Sequence, residues 1–359
     1  MKKTLYVIIG AIVVAGVYLM TPSQPTDMNT PVKIGVVLPL SGGAAFLGES
    51  AQKAALLALK DAGVTKYKYE LVIEDDGFNP TKTVTAVNKF INIDKVLGII
   101  TFGSGTSNAA APINEEAQVA RFGLASDPTS AEGKYNFVHW TPPFKEGALL
   151  AKEIVAREYK TVSIVDTQHA GSLAITKSIK DSLKGTDVKI VSYDLTNIGD
   201  KDFRTIATKI KNLNPDLIIL EMFTPENELM ARQLKSIGVT SPFTSVETFE
   251  WSNEPTLFNG MWFVSDGAKN PDFVEKYIKE YGENPETGTT YVYDLVSMLI
   301  RLHEASDSRI NPVDLPDIIM KLGYNDSPLY GKTVIDKDGF FLTEASVKKI
   351  ENGKAVPAK

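Results

Sequence analysis

No cysteine occurs among the 359 residues, which excludes disulfides, thiol nucleophiles, cysteine metal sites and a lipid-bearing cysteine after an export signal. Histidine is nearly as scarce. His139, His169 and His303 lie far apart, which argues against a histidine-rich metal centre. No cluster of basic residues interrupts the net charge of −6, so no nucleic-acid partner is expected. Nucleotide and hydrolase fingerprints are missing too. Gly103-Ser104-Gly105 lacks the third glycine and the acidic partner of a dinucleotide site. No Gly-x-Ser-x-Gly elbow and no spaced nucleophile–His–acid set occurs. These absences leave no catalytic residue, cofactor or metal to expect, and they favour binding over turnover.

What is present begins with Lys2 and Lys3, followed by an apolar run from Leu5 to Met20. A positive start before a hydrophobic stretch has the form of an export signal, and its length is close to the lower limit for a membrane span. Residues 1–20 are therefore read as a cleaved signal or an uncleaved anchor, with the remainder outside the cytoplasm. Residues 21–31, with Pro22, Pro25 and Pro31 and no apolar periodicity, read as a tether. Over the full 359 residues, 43% hydrophobic and 23% charged residues suit a soluble protein of two sizeable cores.

From Val32 onward short β-like runs alternate with helical stretches, the pattern of an α/β protein with parallel sheets. Strands are expected at 32–38, 69–74, 96–102 and 119–124, and helices at 46–62, 81–94 and 107–118. Pro142-Pro143 marks a crossing, after which the alternation restarts. The tail from Tyr330 reads as a β-hairpin turning at Asp336-Lys337-Asp338-Gly339. The expected organisation is two Rossmann-like α/β lobes, 32–143 with 266–330 and 144–265 with 331–359.

Ligands of open parallel sheets sit beyond the carboxyl ends of the strands. Gly103, Ser104 and Thr106 stand there, at a strand-to-helix junction whose free N–H groups and dipole suit an anion. Ser126 and Asp127 follow the next strand. His169 and Phe223 follow strands of the second half, as does Glu247. This inventory fits a zwitterion, its carboxylate at Ser104 and its ammonium on Glu247 or Asp127, because a buried charge needs a partner. Each residue also has a plainer use. Asp127 before Pro128 suits a turn or cap, Glu247 a solvated loop, and Phe223 and Trp251 ordinary packing.

Three segments carry a resemblance: VKIGVVLPLSGGAAFLGESAQKAALLAL, ITFGSGTSNAAAPINEEAQVARFGLAS and DLIILEMFTPENELMARQLKSIGVTSPFTSVETF. Together they resemble the periplasmic leucine/isoleucine/valine-binding protein family, the substrate-binding components of ABC transporters, from about Val32 to Val356. The resemblance implies the type I periplasmic binding protein fold, with two lobes joined by three crossings and the ligand in the cleft. It implies a monomer that delivers an amino acid or amide-like solute to an ABC permease. A sensor ectodomain of the same fold is the alternative, and an α/β enzyme a weaker one. Ser104 falls where a family serine binds the ligand carboxylate, Ala125 where a backbone group does so, and Glu247 on the acid that pairs with the α-ammonium. Asp127 replaces a usual threonine and would attract an extra cation. Leu47 and Ala170 replace usual aromatics, which reshapes the site.

Overall fold

The computed structural model describes residues 30–267, 270–322, 324–327 and 331–358. The expected signal or anchor, and all but the last two residues of the tether, lie outside the described residues. Among the described residues, no helix is long and apolar enough to cross a membrane.

The first strand, β1 (Val32–Leu38), is buried at all but one position, as a central strand covered on both faces must be. Helix α1 (Ala45–Asp61), β2 (Tyr69–Asp75) and α2 (Pro80–Lys89) follow. Helix α2 starts sharply because the Asn79 side chain accepts from the N–H groups of Thr81 and Lys82, with Pro80 at its first position. Then come β3 (Ile99–Phe102), α3 (Ser104–Ala117), β4 (Arg121–Leu124) and β5 (Asn136–Val138). These strands form one parallel sheet in the order β2-β1-β3-β4-β5.

The second run comprises α4 (Pro143–Ala156), β6 (Thr161–Thr167), α5 (Ala170–Leu183), β7 (Lys189–Thr196) and α6 (Arg204–Leu213). It continues with β8 (Leu217–Glu221), α7 (Glu226–Ser236) and β9 (Phe243–Thr244), giving a second parallel sheet in the order β7-β6-β8-β9. The next strand, β10 (Trp262–Asp266), is stitched to the chain after β9 by Glu247 N donating to Val264 O at 2.7 Å. Helices α8 (Pro271–Tyr281) and α9 (Thr289–Ala305) then pack on the first sheet, followed by α10 (Leu315–Leu322) and the pair β11 (Tyr324–Ser327) and β12 (Gly331–Thr333). Last, β13 (Ala345–Glu351) pairs antiparallel with β10 and with β14 (Lys354–Pro357).

Each sheet is covered on both faces. Around the first, Ile34, Ile100, Phe122, Tyr291 and Leu295 share one core, and Val37, Val87, Phe90 and Ile99 share another. Around the second, Ile218, Leu234 and Phe263 pack on one face, and Leu150, Ile164 and Ile179 on the other. The chain leaves the first group after β5, returns after β10, and leaves again between Phe341 and β13. Two of these connections touch, through the buried hydroxyls of Thr141 and Thr343, 3.3 Å apart.

Two expectations change, and one is extended. Helix α3 begins at Ser104, not at residue 107, because Gly103 (φ 96°, ψ 146°) ends the strand abruptly. The expected turn at residues 336–339 is present: it closes a short antiparallel pairing of Ile335 with Phe341, and the Asp336 side chain accepts from the N–H groups of Asp338 and Phe340 within it. A second hairpin, between β13 and β14, turns at Asn352-Gly353, both at positive φ. Residues 331–359 also divide. Phe340 and Phe341 pack in the first core, and β13 and β14 join β10 in a separate three-stranded sheet beside the second.

Helices α4 and α5 meet at Gly147, where an added Cβ would lie 2.4 Å from Ser178 Oγ and 2.7 Å from Ile179 N. The backbone nitrogen cannot swing away. Gly147→Val is expected to cost about 1–3 kcal/mol by overpacking, read as a lower denaturant midpoint at unchanged m-value.

Candidate functional site

A cavity of about 500 Å³ lies between the carboxyl ends of the two parallel sheets and takes walls from both. That size is in the range of small-molecule sites. From the first sheet's side come Leu47, Phe102, Gly103, Ser104, Thr106 and Ser126. From the second come His169, Phe223 and Glu247. The structure thus brings together eight of the eleven residues singled out from sequence, and Trp251 joins them.

Gly103 makes the first wall possible. Its Cβ, were there one, would sit 2.3 Å from the Phe78 ring. The tight turn places Ser104, Gly105 and Thr106 in the first turn of α3, where N–H groups have no intrahelical acceptor. Ser104 Oγ accepts from Ser126 N (3.0 Å) and Asp127 N (3.2 Å), so its own proton remains to be donated. Thr106 is differently employed. Its hydroxyl donates to Phe102 O and Gly103 O and locks the turn.

The second wall touches the first. At Gly171, in the opening turn of α5, a Cβ would lie 2.8 Å from Ser104 Oγ, so the two walls meet here with room for a hydrogen only. His169 stands edge-on to Phe223 (centroids 5.0 Å), and burial pushes its imidazole down toward the neutral form. Phe223 and Trp251 lie parallel, 4° apart in plane with centroids at 6.0 Å.

The acids decide the electrostatics. Glu247 follows β9 at φ +62°, a left-handed conformation rare for glutamate, and is 1% exposed. Its Oε1 has no hydrogen-bond partner. Burial first, with the charges of Asp266 and Glu250, pushes its carboxyl up to about 8. Glu146, on the first turn of α4, is fully buried with both carboxyl oxygens unpartnered. Burial raises it well above the ordinary carboxylate range, and the neighbouring Glu247 adds to that. Glu221 ends β8 on the cavity wall. Its Oε2 accepts from Val246 N at 3.0 Å, and burial raises it likewise. Lys348 neutralises only the outer acids, with Nζ 3.0 Å from both Glu250 and Asp266.

Three expected contacts stand apart. Asp127 is not on the cavity wall. One carboxylate oxygen caps the short helix after it by accepting from Thr129 N, and the other accepts from Asn108 Nδ2 at 2.7 Å. Its plainer use, as a cap, is the one it has. Ala125 and Ala170 lie next to wall residues without lining the cavity themselves. Sequence reasoning missed Glu221, Glu146 and Trp140. An acid closing the apolar run LIIL was a usable signal for Glu221. Glu146 gave none, since a polar residue in an amphipathic helix looks solvated.

With this geometry in view, the family model of periplasmic binding proteins matches residues 31–355. The Leu/Ile/Val-binding protein homolog 1 of Brucella melitensis is 25% identical over 325 residues, 86% of this chain and 85% of that protein. The Leu/Ile/Val-binding protein BraC3 of Rhizobium johnstonii is 27% identical over 352 residues, 92% of this chain and 95% of that protein. Among solved structures, the branched-chain amino acid transporter substrate-binding protein LivJ of Streptococcus pneumoniae, in complex with isoleucine, superposes with a TM-score of 0.80 at 22% identity. That match covers 92% of this chain and 100% of the other. A solute-binding protein of an ABC transporter from R. palustris, in complex with benzoate, gives 0.77 at 17% identity, covering 91% and 95%.

Proposed function

The chain belongs to the periplasmic binding protein family and has its type I fold, and from that premise we propose that it captures an amino acid or similar small amine-bearing solute and delivers it to an ABC permease. The observation that carries this reading is the Glu247 carboxyl: nine-tenths and more buried, on the cavity wall, with Oε1 unpartnered. An acid held out of water in this way is costly until a cation arrives. The start of α3, with the spare proton of Ser104, offers the opposite charge preference from the other sheet. A small molecule bearing both charges satisfies both walls. The aromatic and aliphatic remainder of the cavity takes its apolar body.

Capture requires the walls to part, and the close approach of Ser104 and Gly171 is the contact that must open. The protein acts outside the cytoplasm, with residues 4–20 as export signal or anchor. It works by holding its ligand, not by converting it.

Mass spectrometry of the small molecules released on denaturing the purified protein tests the reading directly. The expected product carries an amino group. Adding it back at about a hundred times its Kd should contribute roughly 2.7 kcal/mol and raise Tm by several degrees. If neither the released molecule nor any standard amino acid raises Tm, the assignment is wrong.

A further inference from the structure

The charge count of the cavity goes further than a zwitterion. Among the described residues three carboxyl groups line it, Glu221, Glu226 and Glu247, and no lysine or arginine does. Glu226 is engaged. It opens α7, where the helix dipole favours it, and its Oε1 accepts from Gly199 N at 2.6 Å. Glu221 also accepts one backbone N–H but has no helix dipole in its favour, and Glu247 Oε1 has no partner among the described residues. Glu221 ends β8 and Glu247 follows the adjacent β9, 2% and 1% exposed, and the hydrogen bond from Val246 N to Glu221 holds the first carboxyl beside the backbone that carries the second. Behind them Glu146, fully buried, adds a further carboxyl beside Glu247. A neutral zwitterion brings one ammonium and spends its carboxylate at α3, leaving the second acid uncompensated. Trp251 and Phe223 present parallel ring faces on the same wall, and ring faces attract cations.

We propose that Glu221 is a second cation-contacting residue and that the cavity selects amine ligands of net positive charge over neutral zwitterions of the same shape. The proposal rests on the amine-binding reading of the same cavity. It replaces the role expected of Asp127, whose carboxylate is occupied elsewhere.

Two isosteric pairs test it: ornithine against norleucine and lysine against 2-aminoheptanoate, each differing by a terminal ammonium in place of a methyl. Titration calorimetry on the full chain at pH 7.5 should show the cation of each pair binding at least tenfold tighter. Glu221→Gln keeps the size of the side chain and an acceptor for Val246 N but removes the charge. It should cut that preference at least tenfold while changing norleucine affinity less than threefold, and a Tm at or above that of the parent shows the fold intact. Norleucine binding as tightly as ornithine would overturn the charge preference and leave the amine reading standing. So would a Glu221→Gln variant that weakens both ligands equally. If none of the four binds, the amine reading itself falls and this inference with it.

Discussion

Glu247→Gln is expected to weaken ligand binding by two to three orders of magnitude and, in the same protein, to raise the melting temperature of the empty form. The first effect follows from removing one partner of a buried charged pair, which costs about 3–5 kcal/mol. The second has the opposite sign because, without ligand, burial and the charges of Asp266 and Glu250 disfavour the ionised carboxylate, whose Oε1 is unpartnered among the described residues. A neutral amide of the same size relieves that repulsion by about 1 kcal/mol or more. Titration calorimetry and a thermal melt at pH 8 read the two effects separately. A residue that merely supports the fold would lose stability and leave affinity alone, and that pair of results would remove Glu247 from the site.

The empty protein should lose stability as the pH rises from about 6.5 to 8, and ligand affinity should climb over the same interval. Glu247 is raised from an ordinary 4.5 to about 8, and Glu146 and Glu221 are raised as well. An acid raised on folding holds its proton more tightly in the native state. Its contribution is therefore present at low pH and drains away between the unfolded and the folded values. Below about 6.5 the trend is mixed. His303, pushed down to about 4 chiefly by burial, gains stability with rising pH up to its unfolded value near 6.5. Asp166, raised by burial to about 6, works against it. Above 6.5 the cavity acids dominate, and Glu247 alone should account for about 2 kcal/mol by pH 8. A bound ammonium stabilises the ionised carboxylate, so binding near pH 7 should release a proton. Calorimetry in two buffers of different ionisation enthalpy counts it. A flat Tm between pH 6.5 and 8, with no proton released, would contradict the assignment.

Much of the fold is legible from local pattern. The run VKIGVVL is apolar enough to be a strand buried on both faces, and β1 has the bounds expected of it. Helix α8 is bracketed by an Asn270 cap and Gly282 in the left-handed conformation, so both of its ends can be read. What could not be read was set by distant partners. Strand β5 is three residues long and is held by pairing with β4 and by a bridge from Val138 to Phe340 of the tail. The start of α3 depended on how far Gly103 would turn, and Asp127 on whether Asn108 would reach it. Ser104 and Glu247 were visible because each follows a strand and carries the right chemistry. Glu146 was not, because its burial comes from elements far along the chain.

The approach of Gly171 to Ser104 makes this seam an all-or-nothing contact. With room for only a hydrogen between them, the walls have no partly closed arrangement in which the same atoms touch. With capture by parting of the walls, as proposed, a change in separation across the seam would read out occupancy. Because the chain has no cysteine, one thiol placed on each side could be labelled without competition. Energy transfer between the two dyes would turn the protein into an optical gauge of its own solute.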